Sequence, residues 1–438
     1  MLVYLLNHST APVNLGGAER SLLRLVEDWY ASDPSFEAVF ITKAPRGRFI
    51  AALEERGWNY RAFRYRGWAG PASRLSSAER RYFARDDYAA TLGMIRMMED
   101  RRPDLVVTNT VVAPWAAFAA AVVGVPHAWF VREYGDLDHG LTFEHGRASA
   151  LADVGLLSQA VFTNSFALRS HLGQYLDVEK VTVVYPELDA ESILRRAAEP
   201  PAVAPFPQGD PGLRIVVVGR LSESKGQWRV IDALADLRAR GVAASLCLVG
   251  SDETAGTEAT LLARAAQLGV ADRLTIVGEQ VNPYPFIAAA DVAITPSTIE
   301  AFGRATLEYM IVGTAVIATD SGGSAELVEP GVTGQQVSAD DPAGLVDAIA
   351  RYAADPKLVA AHASAGRVRS ATLLNGETSN AAAIARLRQT ASEQPYRLPE
   401  MARAWFALPV GGAVGILTVV ARRIPGRVRT ALRRVARR

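Results

Sequence analysis

Two carboxylates eight residues apart, Glu300 and Glu308, flank the dipeptide Phe302-Gly303, and two cations, Arg220 and Lys225, follow an apolar run ending in Gly219. A carboxylate accepts hydrogen bonds from sugar hydroxyls, and a guanidinium beside an ammonium suits a phosphate or diphosphate. Three glycine turns accompany these groups: Asn14-Leu15-Gly16-Gly17-Ala18-Glu19-Arg20, Val218-Gly219-Arg220-Leu221 with Lys225-Gly226, and Glu300-Ala301-Phe302-Gly303. Each is placed to open a helix, where backbone N–H groups face an anion. None has the spacing of a dinucleotide-oxidoreductase turn or of a P-loop. One such turn alone is an ordinary helix start. Carboxylates, cations and glycines together make a candidate site.

Strands alternating with helices must position these residues, the pattern of a parallel sheet covered on both faces. The first half predicts strands at Val39–Thr42, Leu105–Thr108, Ala128–Val131, Ala160–Thr163 and Val181–Val184, with helices at Ala18–Tyr30 and Pro114–Val123. A break follows at Glu199–Pro207, where four prolines in nine residues exclude a helix or a central strand. The rhythm resumes with strands at Leu213–Gly219, Ser245–Gly250, Leu274–Val277, Val292–Thr295 and Ala315–Thr319. Helices are expected at Gln227–Arg240, Thr257–Leu268, Gly303–Ile311 and Pro342–Tyr352. The expected α/β architecture has four parts: a Rossmann-like domain over 1–199, a linker over 200–212, a second Rossmann-like domain over 213–395 and a tail over 396–438. Glu300 then falls in the loop after a strand, Gly303 at a helix start and Glu308 further along that helix.

Glu300-Ala301-Phe302-Gly303 with Glu308, then Gly313–Thr319, Gly322-Gly323 and Glu326, closely resembles the C-terminal domain of family-4 retaining glycosyltransferases. Gly219-Arg220-Leu221 with Lys225-Gly226 is similar to that family's phosphate-binding segment, and Gly16-Gly17-Ala18-Glu19 to its N-terminal glycine loop. The likeness is strong over Leu213–Asp355 and looser over Leu2–Tyr185. It implies the GT-B fold, with two Rossmann-like domains whose parallel sheets face each other across a cleft. It also implies retaining transfer of a sugar from a nucleotide-diphosphate donor to a glycan or lipid-linked glycan, in bacterial-type polysaccharide or glycoconjugate synthesis. By matching position, Arg220 and Lys225 neutralise the leaving diphosphate. Glu300 holds the sugar, Phe302 and Gly303 line sugar and phosphate, Glu308 accepts from the ribose, and Gly17 brings a backbone N–H to the phosphate. Base recognition falls near Gly278–Val281. The resemblance implies no cofactor and no metal, and no Asp-x-Asp pair accompanies the phosphate-binding segments.

Many relatives place a His, followed by an acid, at the end of a central strand of the first domain. Here that strand ends in Arg132-Glu133, so Arg132 takes the His position, and an arginine there binds anions and is no base. His127, at the start of the same strand, is either an acceptor-side group or a plain strand-start residue. Asn109, His139 and His145 are acceptor-side candidates on loops. Arg64, Tyr65, Arg66, Trp68, Arg80, Arg81, Tyr82 and Phe83 form a stretch that either receives a sugar chain or lipid carrier, or packs its rings inward. Two further functions stay open. A non-catalytic sugar-nucleotide-binding subunit would have less reason to keep both carboxylates and both cations; a nucleotide-sugar epimerase would need no acceptor.

The chain has 438 residues, 49% of them apolar and 21% charged, which excludes a disordered or multi-span protein and fits two large domains. Its single cysteine, Cys247, excludes a disulfide scaffold and reads as a buried strand thiol. Without a charged leader and cleavage site at the start, the body is expected in the cytoplasm. The net charge of +1 hides an asymmetry: the last eight arginines, from Arg422 on, leave 39 basic against 46 acidic residues before them, or −7 over 1–421. Before those arginines, 404–421 is an uncharged run of 18 residues interrupted by Pro409, Gly411, Gly412 and Gly415. Ile424, Val428, Leu432 and Val435 share one helical face among the arginines, a pattern suited to an anionic membrane surface. The expected location is peripheral, at the inner face of the cell membrane, and no nucleic-acid partner is expected.

Overall fold

A computed structural model describes residues 1–11, 14–71, 77–207, 209, 211–374 and 376–407. The first lobe holds β1 (Leu2–Asn7), β2 (Glu37–Lys43), β3 (Asn59–Phe63), β4 (Ala69–Pro71), β5 (Leu105–Thr108), β6 (His127–Val131), β7 (Leu141–Phe143), β8 (Ala160–Thr163) and β9 (Val181–Val183). Seven of these form a parallel sheet in the order β3-β2-β1-β5-β6-β8-β9, and β4 pairs antiparallel with β7 at its rim. The second lobe holds β10 (Leu213–Val218), β11 (Ala244–Val249), β12 (Leu274–Ile276), β13 (Val292–Thr295), β14 (Ala315–Thr319) and β15 (Gln335–Val337), in the order β12-β11-β10-β13-β14-β15. In both sheets the order reverses beside the first strand, and the crevice beyond the strands' carboxyl ends is where such sheets bind ligands. These are the two Rossmann-like units expected.

The inner strands of each sheet are buried on both faces, which is why they read as continuous apolar runs, whereas the edge strand β3 is largely exposed. In β1, Val3 and Leu5 face helix Gly17–Ser32, while Tyr4 and Leu6 face helices Ser77–Asp100 and Trp115–Val123. In β10, Ile215 and Val217 pack on helix Gln227–Ala239, and Val216 on the opposite face against helix Arg304–Val312. Cys247 is fully buried in β11, and burial pushes its thiol up to about 12.

Two helices cross the expected boundaries. Helix Ala190–Ala197 lies within 1–199, yet Ile193 joins Tyr185 and Leu188 in the core beneath the second sheet. Helix Asn380–Thr390 lies within 213–395, yet Ala383, Ile384 and Leu387 pack in the first lobe's core beside Trp29. The chain passes between lobes twice, and Asn380 ties the return to the first lobe by donating from Nδ2 to Asp28 at 2.7 Å. Tyr396 and Leu398 of the expected tail also pack on the first lobe, followed by helix Glu400–Ala407. The apolar and arginine-rich stretch beyond it, 408–438, lies outside the described residues. Among the described residues no helix is long and apolar enough to cross a membrane.

Candidate active site

Where β10 ends, the chain turns through Gly219 and Arg220 toward helix Gln227–Ala239, and the Gln227 side chain holds that turn by donating to the Arg220 carbonyl at 2.8 Å. The buried Tyr309 fixes the same strand end to the neighbouring helix, its hydroxyl accepting the Val218 N–H at 2.7 Å. Glu308 precedes Tyr309 on helix Arg304–Val312, so strand end and carboxylate form one rigid piece. After β13 the loop brings Glu300 back over this piece. Its carboxylate meets Lys225 Nζ at 2.6 Å and Ser297 Oγ at 2.6 Å. Burial alone would raise the Glu300 carboxyl, but Lys225 and the hydrogen bonds outweigh it and hold it below its usual range.

Gly17, Arg220, Lys225, Glu300, Gly303 and Glu308 all line one interlobe cleft of about 920 Å³. Gly17 opens helix Gly17–Ser32 opposite Arg220, and a side chain added there would meet open space. Asn14 crosses the cleft, donating from Nδ2 to Glu279 at 2.5 Å. Gly278 itself does not line the cleft, but the next three residues, Glu279, Gln280 and Val281, do. Cations and a helix start thus meet at one end of the cleft, where an anion would be held. The two carboxylates face the space beside it.

Other expectations need correction. Phe302 does not line the cleft: its ring is 4% exposed and packs in the core 5.2 Å from that of Tyr185. His127 lies at the amino end of β6, about 13 Å from its carboxyl end at the usual strand rise. It is fully buried, with Nε2 2.8 Å from Thr108 Oγ1 and Nδ1 3.0 Å from Ser158 Oγ, and burial pushes its imidazole down to about 3. It is a structural residue without access to an acceptor.

Arg132 stands at the carboxyl end of β6 but is not among the cleft-lining residues. Its Nε donates to Asn109 Oδ1 at 2.7 Å, and its guanidinium lies 4.7 Å from the Phe130 ring. Burial lowers it to about 10. Asn109 in turn donates to the Ala18 carbonyl at 3.3 Å, so this pair supports the glycine turn from behind. Next to it Glu133 is pushed up to about 7 by burial and by the nearby Asp138.

His139 is not among the cleft-lining residues but touches one of them, with Nδ1 3.4 Å from Arg220 Nη2. The preceding Asp136-Leu137-Asp138 is an Asp-x-Asp pair, and neither acid is among the cleft-lining residues. Its carboxylates are engaged, Asp136 with Arg147 at 2.9 Å and Asp138 with the N–H groups of Tyr134 and Gly135. In the arginine-aromatic stretch, Tyr65 and Trp68 pack inward, Trp68 donating to the Val111 carbonyl at 2.6 Å, while Tyr82 is 56% exposed.

Residues without an assigned role complete the cleft. Arg304 Nε holds Glu308 at 3.1 Å, a contact that the i, i+4 spacing already signals. Arg20 follows the glycine turn and lies within electrostatic reach of Arg304 and Glu308; desolvation and Arg304 lower its guanidinium. Arg196 lines the far end, its guanidinium 4.9 Å from the Tyr284 ring. Sequence spacing gave no hint of it, because its helix belongs to the other lobe.

The family described as Glycosyl transferases group 1 matches residues 206–369. The lipopolysaccharide core biosynthesis mannosyltransferase LpsB of Rhizobium meliloti (strain 1021) is 42% identical over 110 residues, 24% of this chain and 31% of that protein. The chain thus spans under a third of that relative's length. The lipopolysaccharide core biosynthesis glycosyltransferase LpsE of the same organism is 26% identical over 315 residues, 70% of this chain and 84% of the relative. Among solved structures, Anabaena Alr3699/HepE in complex with UDP superposes with a TM-score of 0.68 at 22% identity, covering 90% of this chain and 100% of that one. Residues 206–369 are therefore a glycosyl transferases group 1 domain, and the chain that carries it has the GT-B fold.

Proposed function

We propose that the protein transfers a sugar, with retention, from a nucleotide-diphosphate donor to a glycan or lipid-linked glycan acceptor of a bacterial-type surface polysaccharide. The observation that carries this is the convergence of Arg220, Lys225, Glu300 and Glu308 on one cleft with Gly17 facing them. A diphosphate entering beside Lys225 frees Glu300 from its ion pair, and the carboxylate then accepts hydrogen bonds from the sugar. Glu308, held by Arg304, accepts from the ribose. The acceptor oxygen bonds to the anomeric carbon as the bond to the phosphate oxygen breaks, and the acceptor proton passes to that phosphate on the same face. Arg220 and Lys225 supply the charge stabilisation that a metal gives elsewhere. Arg132 acts in this reading by fixing Asn109 and the glycine turn.

The relatives' names support the polymer class: LpsB and LpsE are assigned to lipopolysaccharide core biosynthesis. The arginines from Arg422 on suit peripheral binding to an anionic membrane from the cytoplasmic side, where a lipid-linked acceptor would be met.

The test is a thermal-shift panel of nucleotide sugars and nucleoside diphosphates, with and without EDTA, on wild type and Glu300→Ala. A donor that stabilises wild type by several degrees in EDTA, and the variant less, supports the reading. Silence from every common donor and diphosphate overturns it. Release of an isomerised sugar without acceptor identifies an epimerase.

A further inference from the structure

His139 approaches Arg220 at the edge of the cleft from the first lobe, on a turn that fixes its position. The four-residue helix Asp136–His139 is bracketed by Gly135 and Gly140. Buried Asp138 accepts the N–H groups of Tyr134 at 2.9 Å and Gly135 at 2.8 Å, Asp136 anchors the turn to Arg147, and β7 follows at once, paired to β4. His139 itself serves none of these contacts. Its Nδ1 lies 3.4 Å from Arg220 Nη2, its Nε2 lies 4.0 Å from Asp138 Oδ2, and it acts electrostatically on Glu300. An imidazole and a guanidinium gain little from each other, but both donate N–H groups to an oxyanion.

We infer that His139 is a donor-site residue supplied by the first lobe, hydrogen-bonding the phosphate oxygen that leaves the anomeric carbon. This rests on the nucleotide-sugar reading and deepens it. That oxygen keeps the electron pair of the breaking bond and the phosphate takes the acceptor's proton, so negative charge grows between His139 and Arg220. Leaving-group stabilisation is then complete only when the lobes are together, which couples chemistry to closure.

The test titrates UDP and GDP, and separately uridine and guanosine, into the full-length wild type, His139→Ala and His139→Gln, and records the phosphorus resonances of the bound diphosphate. His139→Ala is expected to weaken the diphosphate about 10-fold, as for loss of one charge-assisted hydrogen bond. It is expected to move the β-phosphorus resonance and leave nucleoside affinity unchanged, with His139→Gln in between. Wild-type affinity and resonance positions in both variants overturn the inference alone. Failure of wild type to bind either diphosphate overturns it together with the nucleotide-sugar reading.

Discussion

Lys225 Nζ lies 2.6 Å from Oε1 of Glu300, joining the loop after β10 to the loop after β13 across the mouth of the second sheet. The side chains are 23% and 17% exposed, so the pair is mostly out of water. Lys225→Met leaves the carboxylate there without its counter-charge, at an expected cost of about 1–3 kcal/mol after allowance for residual solvent screening. Because the pair depresses the folded carboxyl, its stabilisation is present above the unfolded value, about 4.3, and is lost as pH falls through the folded one. Urea melts should therefore show the full difference between wild type and Lys225→Met at pH 7 and a smaller one near pH 3.5. An unchanging difference would show that the ion pair is not what the mutation removed.

Much of this site was legible because a parallel sheet delivers its loops to one end. Once β10 and β13 are read as strands, Arg220, Lys225 and Glu300 must share a mouth, and the helix after Gly303 must carry Glu308. Strand position was harder to convert into access. His127 and Arg132 are five residues apart, yet one lies at each end of β6, and only the sheet's direction separates them. Helix partnership was not legible at all. Amphipathic patterning shows that Ile193 and Leu387 are buried but not beneath which sheet, so helices Ala190–Ala197 and Asn380–Thr390 were assigned to the wrong lobes. Phe302 was misplaced for a related reason: one position along a loop decides between cleft and core.

Gly322 is not among the cleft-lining residues, yet it should control the cleft. Its φ is +64°, and a Cβ built on it would lie 2.2 Å from the Glu300 carbonyl oxygen and 2.9 Å from the Glu300 nitrogen. The Glu300 carbonyl also accepts the Gly323 N–H at 2.7 Å. Gly322→Ala therefore pushes on the backbone that aims the carboxylate, beyond the left-handed strain of about 1–2 kcal/mol. Donor binding should weaken at least several-fold. Gly331→Ala is the control, with a φ of +74° but open space around the new methyl: similar strain, no change in binding. Equal binding by both variants would remove the steric link.

His127 should make the protein acid-sensitive well above the carboxylate range. Its folded value of about 3 lies below the usual 6.5, so below pH 6.5 the unfolded chain takes a proton that the native state refuses. Stability contributed by the neutral, buried imidazole is then present above pH 6.5 and lost progressively toward pH 3, by up to about 4–5 kcal/mol at 1.36 kcal/mol per unit. His127→Gln removes the titrating group and should flatten the stability profile between pH 6.5 and 4.5 while leaving nucleotide binding unchanged. A variant whose profile parallels wild type would show that the ring takes up its proton in the folded state.

Glu326 of the second lobe caps a helix of the first. Its carboxylate accepts the N–H groups of Phe166, at 3.0 Å, and Ala167, at the start of helix Phe166–Leu172, where Ser165 already accepts from Leu168. It also accepts the Tyr185 hydroxyl at 3.0 Å, in the chain segment that leads between lobes. Those helix-start donors have no intrahelical partners, so Glu326→Ala leaves them to water and releases a lobe–lobe contact outside the cleft. The expected cost is about 1–3 kcal/mol, with about 0.5–1.5 kcal/mol for Tyr185→Phe. Because both remove parts of one contact, the double variant should lose less than the sum. If the contact also holds the lobes at their present angle, small-angle scattering of Glu326→Ala should give a larger radius of gyration than wild type, restored in part by a saturating nucleoside diphosphate that bridges the cleft. Additive losses with an unchanged radius would make Glu326 an ordinary surface acid, and the lobe angle would then rest on other contacts between the lobes, such as those of Asn14 with Glu279 and His139 with Arg220.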